Sequence, residues 1–148
     1  MESHGEADRI IAELGLAPHP EGGWFRETYR ASPGSDGRAR GTAILFLLRA
    51  GEASHWHRVD ADELWLWHAG SPLALHISGE RGSSQIETCR LGGDVMRGYS
   101  PQRLVPANRW QAARADAGWA LVSCIVVPGF EFAGFELAPP GWSPGAPE

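Results

Sequence analysis

The stretch "SHWHRVDADELWLWHAG" (residues 54–70) decides how the rest of the chain is read. It sets His55 and His57 one residue apart, and Glu63 follows after an acidic segment. Side chains alternate along a strand, so His55 and His57 are expected on one face, with Trp56 and Arg58 opposed. By the same count Glu63, Trp65 and Trp67 share a face, and Leu64, Leu66 and His68 share the other. The "RVDAD" between them can form the hairpin that brings Glu63 back to the imidazoles. Alternation is not counted across a turn, so Asp60 and Asp62 stand as substitutes for Glu63. Two imidazoles and a carboxylate, His55, His57 and Glu63, make a ligand set with open positions that suits Fe, Mn, Ni or Zn. Without an ion the same groups are acid–base equipment. His57 is then the general base, because a free imidazole titrates near neutrality, and Glu63 orients or charges it.

Working outward, the chain continues in short runs rich in aromatic and β-branched residues. They include "WFRETYRA" (24–31), "GTAILFLLRA" (41–50), "LALHIS" (73–78), "SQIETCRL" (84–91), "RLVPANRWQAAR" (103–114), "WALVSCIVV" (119–127) and "FEFAGFEL" (130–137). Turn-forming clusters such as "SPGSDG", "GERGS", "LGGD" and "ADAG" separate them. Eight or nine strands at this spacing predict an all-β antiparallel sandwich or barrel. One helix precedes it: Ala7, Ile10, Ile11 and Leu14 fall on one face, Gly15 suits the position after the helix, and Pro18 and Pro20 prevent continuation. Residues 1–138 read as a single domain, and 139–148, "PPGWSPGAPE", as a flexible C-terminal tail.

The bulk properties narrow the function. A chain of 148 residues with 43% hydrophobic and 21% charged residues is one ordinary globular domain. A net charge of −5, with thirteen scattered arginines and no lysine, argues against a nucleic-acid surface. No apolar run reaches the roughly 20 residues of a membrane span. The charged N-terminus lacks a signal-peptide apolar region, and Cys89 and Cys124 read as reduced thiols, so a cytoplasmic protein is expected. Seven tryptophans suggest an aromatic-walled cavity.

A barrel with polar residues inside is a container, and other side chains are candidates for its lining. Tyr29, carried by "RETYR", is a candidate acid partner for His57. Trp65, Trp67 and Trp110 can stack on a planar ligand or fill the core. "PEGGWF" (20–25) is read as a tight turn, with backbone capture of an anion as the other possibility. Arg26, Arg58 and Arg109 are read as solvated, and Phe130, Phe132 and Phe135 as closing the barrel with Glu131 and Glu136 outward.

These residues resemble the cupin superfamily. Its first motif is matched by Gly51, His55, His57, Glu63, the six residues "LWLWHA" and Gly70, with five residues between His57 and Glu63, one more than the usual pattern. The second motif resembles "PANRWQ", where Asn108 stands for a glycine and Gln111 for the last histidine ligand. Asn tolerates a positive φ almost as glycine does, whereas a neutral amide oxygen is a weaker ligand than an imidazole. A closer resemblance covers residues 9–137, through "LGLAPHPEGGWFRETYR", "HRVDADELWLWHAG", "VPANRWQAAR" and "VPGFEFAGFELA". It is to the small single-domain cupins called cupin family five, in which the first histidine is often another residue. The resemblance implies a double-stranded β-helix (jelly-roll barrel), a homodimer, and a site at the motif positions His55, His57, Glu63 and Gln111, which would surround one divalent metal where a metal is used. Taken with the reading of the residues, the candidate catalytic groups are His57, Glu63 and Tyr29, and the candidates around a substrate are Trp65, Trp67 and Gln111. The expected activity is that of an isomerase, epimerase or lyase on a small polar metabolite, with no organic cofactor, no nucleic acid and no membrane. A non-haem metal-dependent oxygenase and a ligand-binding module without chemistry are the alternatives.

Overall fold

The computed structural model describes residues 4–80 and 84–145. Part of the expected turn "GERGS" and the last three residues of the expected tail therefore lie outside the described residues. The chain opens with helix α1 (Gly5–Leu14), and Gly15 follows it in the left-handed conformation at φ 67°. The predicted face of α1 packs, through Ala7, Ile10, Ile11 and Leu14, on Leu47, Trp24, Trp119 and Leu121. Burying that apolar stripe, rather than intrinsic propensity, is what holds so short a helix.

Among the described residues eleven strands follow: β1 (Ala17–Pro18), β2 (Trp24–Arg30), β3 (Thr42–Leu48), β4 (Ala53–Val59), β5 (Asp62–Gly70), β6 (Leu73–Ser78), β7 (Ile86–Leu91), β8 (Gln102–Val105), β9 (Gln111–Arg114), β10 (Ala120–Val127) and β11 (Phe135–Leu137). They form two antiparallel sheets, one ordered β1-β2-β3-β10-β5-β8 and the other β11-β4-β9-β6-β7. This is a jelly roll. Its core, between the sheets, holds Phe46, Leu48, Trp65, Leu75, Leu91, Val122 and their neighbours.

The single run expected over 103–114 is two strands in different sheets. Pro106 offers no N–H to a ladder, and Asn108 sits at φ 68°, so the chain turns between them and crosses to the other sheet. The segment 139–145, expected to be loosely attached, carries specific contacts. The Pro139 carbonyl faces His55 Nε2 at 2.9 Å, and the Trp142 ring lies 4.6 Å from that of Trp110.

Two bulges change which side chains face inward. On β4, Ser54 pairs with Ala113 and His57 with Gln111, so three steps along β4 match two along β9. On β2, Glu27 pairs with Ile44 and Tyr29 with Ala43, again one residue in excess. Each extra residue reverses the alternation beyond it. Ser54 and His57 are consequently both buried, while His55 is half-exposed, and Tyr29 is 62% exposed.

Candidate active site

A cavity of about 400 Å³ opens at one end of the barrel. Its polar floor is His19, Glu21, His57, Glu63 and Cys124, and its wall is chiefly Phe25, Ile44, Val59, Val126 and the phenylalanines 130, 132 and 135. Glu27, Arg30 and Glu131 stand at the rim, where the Arg30 guanidinium donates to both Glu27 carboxylate oxygens, at 2.7 and 3.3 Å.

His57 reaches the floor because the β4 bulge turns it inward. Its Nδ1 lies 2.7 Å from the His55 carbonyl oxygen. A carbonyl only accepts, so Nδ1 carries the proton and Nε2 of the neutral ring offers its lone pair. That Nε2 lies 3.3 Å from Glu21 Oε2. Burial holds the His57 pKa below the ordinary histidine value, against the pull of Glu63.

Glu21 comes from the turn before β2. The turn closes through the Gly22 N–H to the His19 carbonyl, and the Glu21 carbonyl accepts the His55 N–H at 2.7 Å. Gly22 has φ 107°, and a Cβ there would stand 2.4 Å from the Ala53 carbonyl oxygen, so only glycine lets the turn lie this close to β4. The Glu21 carboxyl meets the Ser54 hydroxyl and lies 3.3 Å from His19 Nδ1. Burial pushes its pKa up to about 8, with the Ser54 hydrogen bond opposing. His19 Nδ1 accepts the Glu21 backbone N–H, and burial, helped by His57, lowers its pKa to about 4.

Glu63 is held from beneath by a buried chain of donors. Trp65 Nε1–H donates to Gln111 Oε1 at 2.8 Å, and Gln111 Nε2–H donates to Glu63 Oε1 at 2.9 Å. An indole can only donate, so the orientation of the Gln111 amide is fixed. Burial raises the Glu63 pKa to about 7, with the His57 charge opposing and Glu21 adding to the rise. Burial also raises the Cys124 thiol beside it well above its ordinary value, so this cysteine is no ready nucleophile.

The aromatic wall is fixed as firmly. Phe130 N–H donates to Thr42 Oγ1 at 2.9 Å, and β11 pairs Phe135 with Val59 and Leu137 with His57. The rings of Phe130, Phe132 and Phe135 lie 4.9 to 6.0 Å apart and stand edge to face.

Of the residues expected at the site, the structure brings His57 and Glu63 together at the cavity floor, with Gln111 directly behind Glu63. His55 is not with them: its ring lies on the Pro139 carbonyl. Tyr29 is on the exterior, and the bulge puts Arg30 at the rim in its place. Trp65 is a buried core residue whose N–H serves Gln111, and Trp67 packs at a different position, donating to the Ser71 carbonyl at 3.0 Å and bordering Gly93. His19, Glu21 and the phenylalanine wall were not expected at the site. "HPEGG" held the signal, because a double glycine marks a backbone approach that other residues cannot make, and Glu21 immediately precedes it.

The ligand set His55, His57, Glu63 and Gln111 does not converge. The Gln111 oxygen is taken by the Trp65 N–H, His55 lies on the Pro139 carbonyl, and His57 has only Nε2 left, facing Glu21 Oε2 at 3.3 Å. Among the described residues no three His, Cys, Asp or Glu side chains are placed to hold an ion. These residues do not fit the expected metal centre.

A closed jelly roll with titratable groups at the floor of one cavity is the architecture of a cupin. Comparison with known proteins gives the narrower assignment: the chain belongs to the family described as Cupin superfamily (DUF985), whose model matches residues 8–138. A crystal structure from Shewanella oneidensis is similar at 40% identity, covering 93% of this chain and 85% of that one, with a TM-score of 0.82. A hypothetical protein from Leishmania major is similar at 35% identity over 88% of this chain and 85% of its own, TM-score 0.78. Oxalate decarboxylase from Bacillus subtilis shares the fold at 15% identity, covering 81% of this chain and 29% of that one, TM-score 0.62. No functionally curated protein matches the chain.

Proposed function

We propose that this cupin is an enzyme that moves a proton on a small molecule, as an isomerase or epimerase or as a lyase using the same first step. One observation carries this reading. His57 presents Nε2 to the cavity, its other nitrogen fixed, between two buried carboxyls held near neutrality. Proton acceptor and proton donor thus stand side by side at neutral pH. In the reaction His57 takes the proton from a carbon next to a carbonyl. The electron pair of the broken C–H bond moves to the carbonyl oxygen, which Glu63 protonates. Return of a proton to the other face or the neighbouring carbon completes the exchange.

Deuterium wash-in from heavy water, followed by proton NMR over a panel of small ketones and aldehydes, tests this. The expected result is enzyme-dependent exchange next to the carbonyl that disappears in His57→Asn and Glu63→Gln. Folded wild-type protein that exchanges nothing across the panel overturns the reading and leaves ligand binding without turnover, which the apolar wall equally supports.

We further propose that the protein works in the cytoplasm as a homodimer. The support for the compartment is that Cys89 and Cys124 are free and buried. The support for a dimer is the outer face of the six-stranded sheet beyond α1. There Leu64, Leu66, Leu104 and Ile125 form a partly exposed apolar row that a second copy would cover. Light scattering should give twice the monomer mass, and Leu64→Arg should halve it.

A further inference from the structure

We propose that the cavity takes an organic cation: a protonated amine on a small apolar or aromatic body, its ammonium on Glu21 and Glu63 and its body against Phe25, Phe130, Phe132 and Phe135. The inference rests on the cavity being the functional site, and it names the class of molecule that site accepts.

The charges lining the cavity are one-sided. Four of the lining residues are glutamates, namely Glu21, Glu27, Glu63 and Glu131. The one guanidinium among them, Arg30, is held by Glu27 through two donors and gives a third hydrogen bond, 3.1 Å, to the Phe130 carbonyl. His19 and His57 are both shifted toward their neutral forms by burial. A phosphate or carboxylate entering the cavity therefore meets carboxyls and no uncommitted cation. Phosphorylated sugars and sugar nucleotides, the substrates for which an arginine-lined cupin would be suited, have nothing to hold their charge here.

A cation meets the opposite situation. Burial is the largest cause pushing Glu21 and Glu63 up, and an ammonium supplies a countercharge within the same cavity. The wall adds to this. Phe130, Phe132 and Phe135 stand edge to face at 62° to 85°, so their rings line a corner of the cavity. Aromatic faces attract a cation through the ring quadrupole and bury its hydrocarbon at the same time. A sugar or other polyhydroxyl body finds few partners on Phe25, Ile44, Val59 and Val126.

Calorimetric titration of the full chain near neutral pH with three probes that share a phenethyl body tests the charge preference: phenethylammonium, phenethyl alcohol and hydrocinnamate. The ammonium should bind about tenfold more tightly than the alcohol, and hydrocinnamate should bind weakest. Glu21→Gln and Glu63→Gln should each bring the ammonium down toward the alcohol, with a cooperative thermal transition for each variant reporting that it is folded. Equal affinity for ammonium and alcohol, tighter binding of hydrocinnamate, or no binding of any probe overturns the inference. None of the probes is a ketone or an aldehyde, so this test reads the charge preference apart from turnover. His57→Asn should keep the ammonium preference while losing deuterium exchange, which separates failure of the substrate class from failure of the proton-transfer reading.

Discussion

His57 Nε2 and Glu21 Oε2 stand 3.3 Å apart, one from a bulged strand and the other from a double-glycine turn. Neither segment alone makes a site. The pairing gives His57 a carboxyl neighbour on the side of the ring that faces the cavity, while the His55 carbonyl holds the opposite nitrogen. His57→Asn should accordingly lower deuterium exchange by about a hundredfold to ten-thousandfold. Glu21→Gln should cost less and should displace the pH–rate profile, since Glu21 acts through His57 as a positioning residue. An unchanged profile in Glu21→Gln would separate the two residues functionally.

Stability should depend on pH with a flat top. A carboxyl whose folded pKa is raised keeps a proton that the unfolded chain has lost. The Glu21 and Glu63 contributions are therefore complete below their ordinary value of 4.5 and are lost as pH climbs through about 7 for Glu63 and about 8 for Glu21. His19 and His57 run the other way: their contributions are present above 6.5 and are lost as pH falls, for His19 through about 4. Between 4.5 and 6.5 the trends offset, and on either side stability falls, each group adding at most about 1.4 kcal/mol per pH unit. Urea denaturation across this range should show the shape, and Glu21→Gln should flatten the alkaline limb.

The sequence spelled out the barrel more fully than the site, and the difference has one physical source. Alternation of side chains predicted the faces of β5 well enough to put Glu63 and Trp65 inward. On β4 and β2 a single extra residue resets that alternation, and nothing in "SHWHR" or "RETYR" marks where a bulge falls. Counting straight through the β4 bulge puts His55 inward, and the β2 bulge keeps the candidate Tyr29 out of the cavity. Ser54 and Arg30 hold the positions instead. The path of the 19–23 turn back over β4 is likewise tertiary, visible in sequence only as two adjacent glycines.

His55→Ala should leave deuterium exchange and metal content as they are in the wild type. The substitution removes a ring that lies on the Pro139 carbonyl and keeps the backbone carbonyl that holds His57. Elemental analysis of wild type and variant, purified without a histidine tag, checks it. Loss of a bound equivalent of Fe, Mn, Ni or Zn in the variant would put His55 in a metal centre.

Gln111→Leu should destabilise by about 2–4 kcal/mol, because it strands two buried groups, the Trp65 N–H and the Glu63 carboxyl. With its donor gone, Glu63 should also rise further in pKa, since that hydrogen bond opposes the effect of burial. Denaturant midpoints read the first effect. Carbon-13 NMR of labelled Glu63 in the folded variant reads the second.

Gly22→Ala tests whether the turn places Glu21. The backbone there has φ 107°, and the added Cβ would meet the Ala53 carbonyl oxygen at 2.4 Å, a backbone atom that cannot swing away. Gly37 offers the matched comparison: its φ is 82°, but nothing lies within 4 Å of its Cβ position. Gly37→Ala should therefore show only the conformational penalty of a left-handed residue, on the order of 1 kcal/mol. Gly22→Ala carries that penalty and must also push the turn off β4, for a total of about 2–4 kcal/mol. If the turn moves, the Glu21 carboxyl leaves His57 and Ser54, and the alkaline limb of the stability profile should flatten as it does in Glu21→Gln. Equal destabilisation by the two alanine variants, with the alkaline limb intact in both, would show that the turn tolerates the displacement and that Glu21 is held by its side-chain contacts alone.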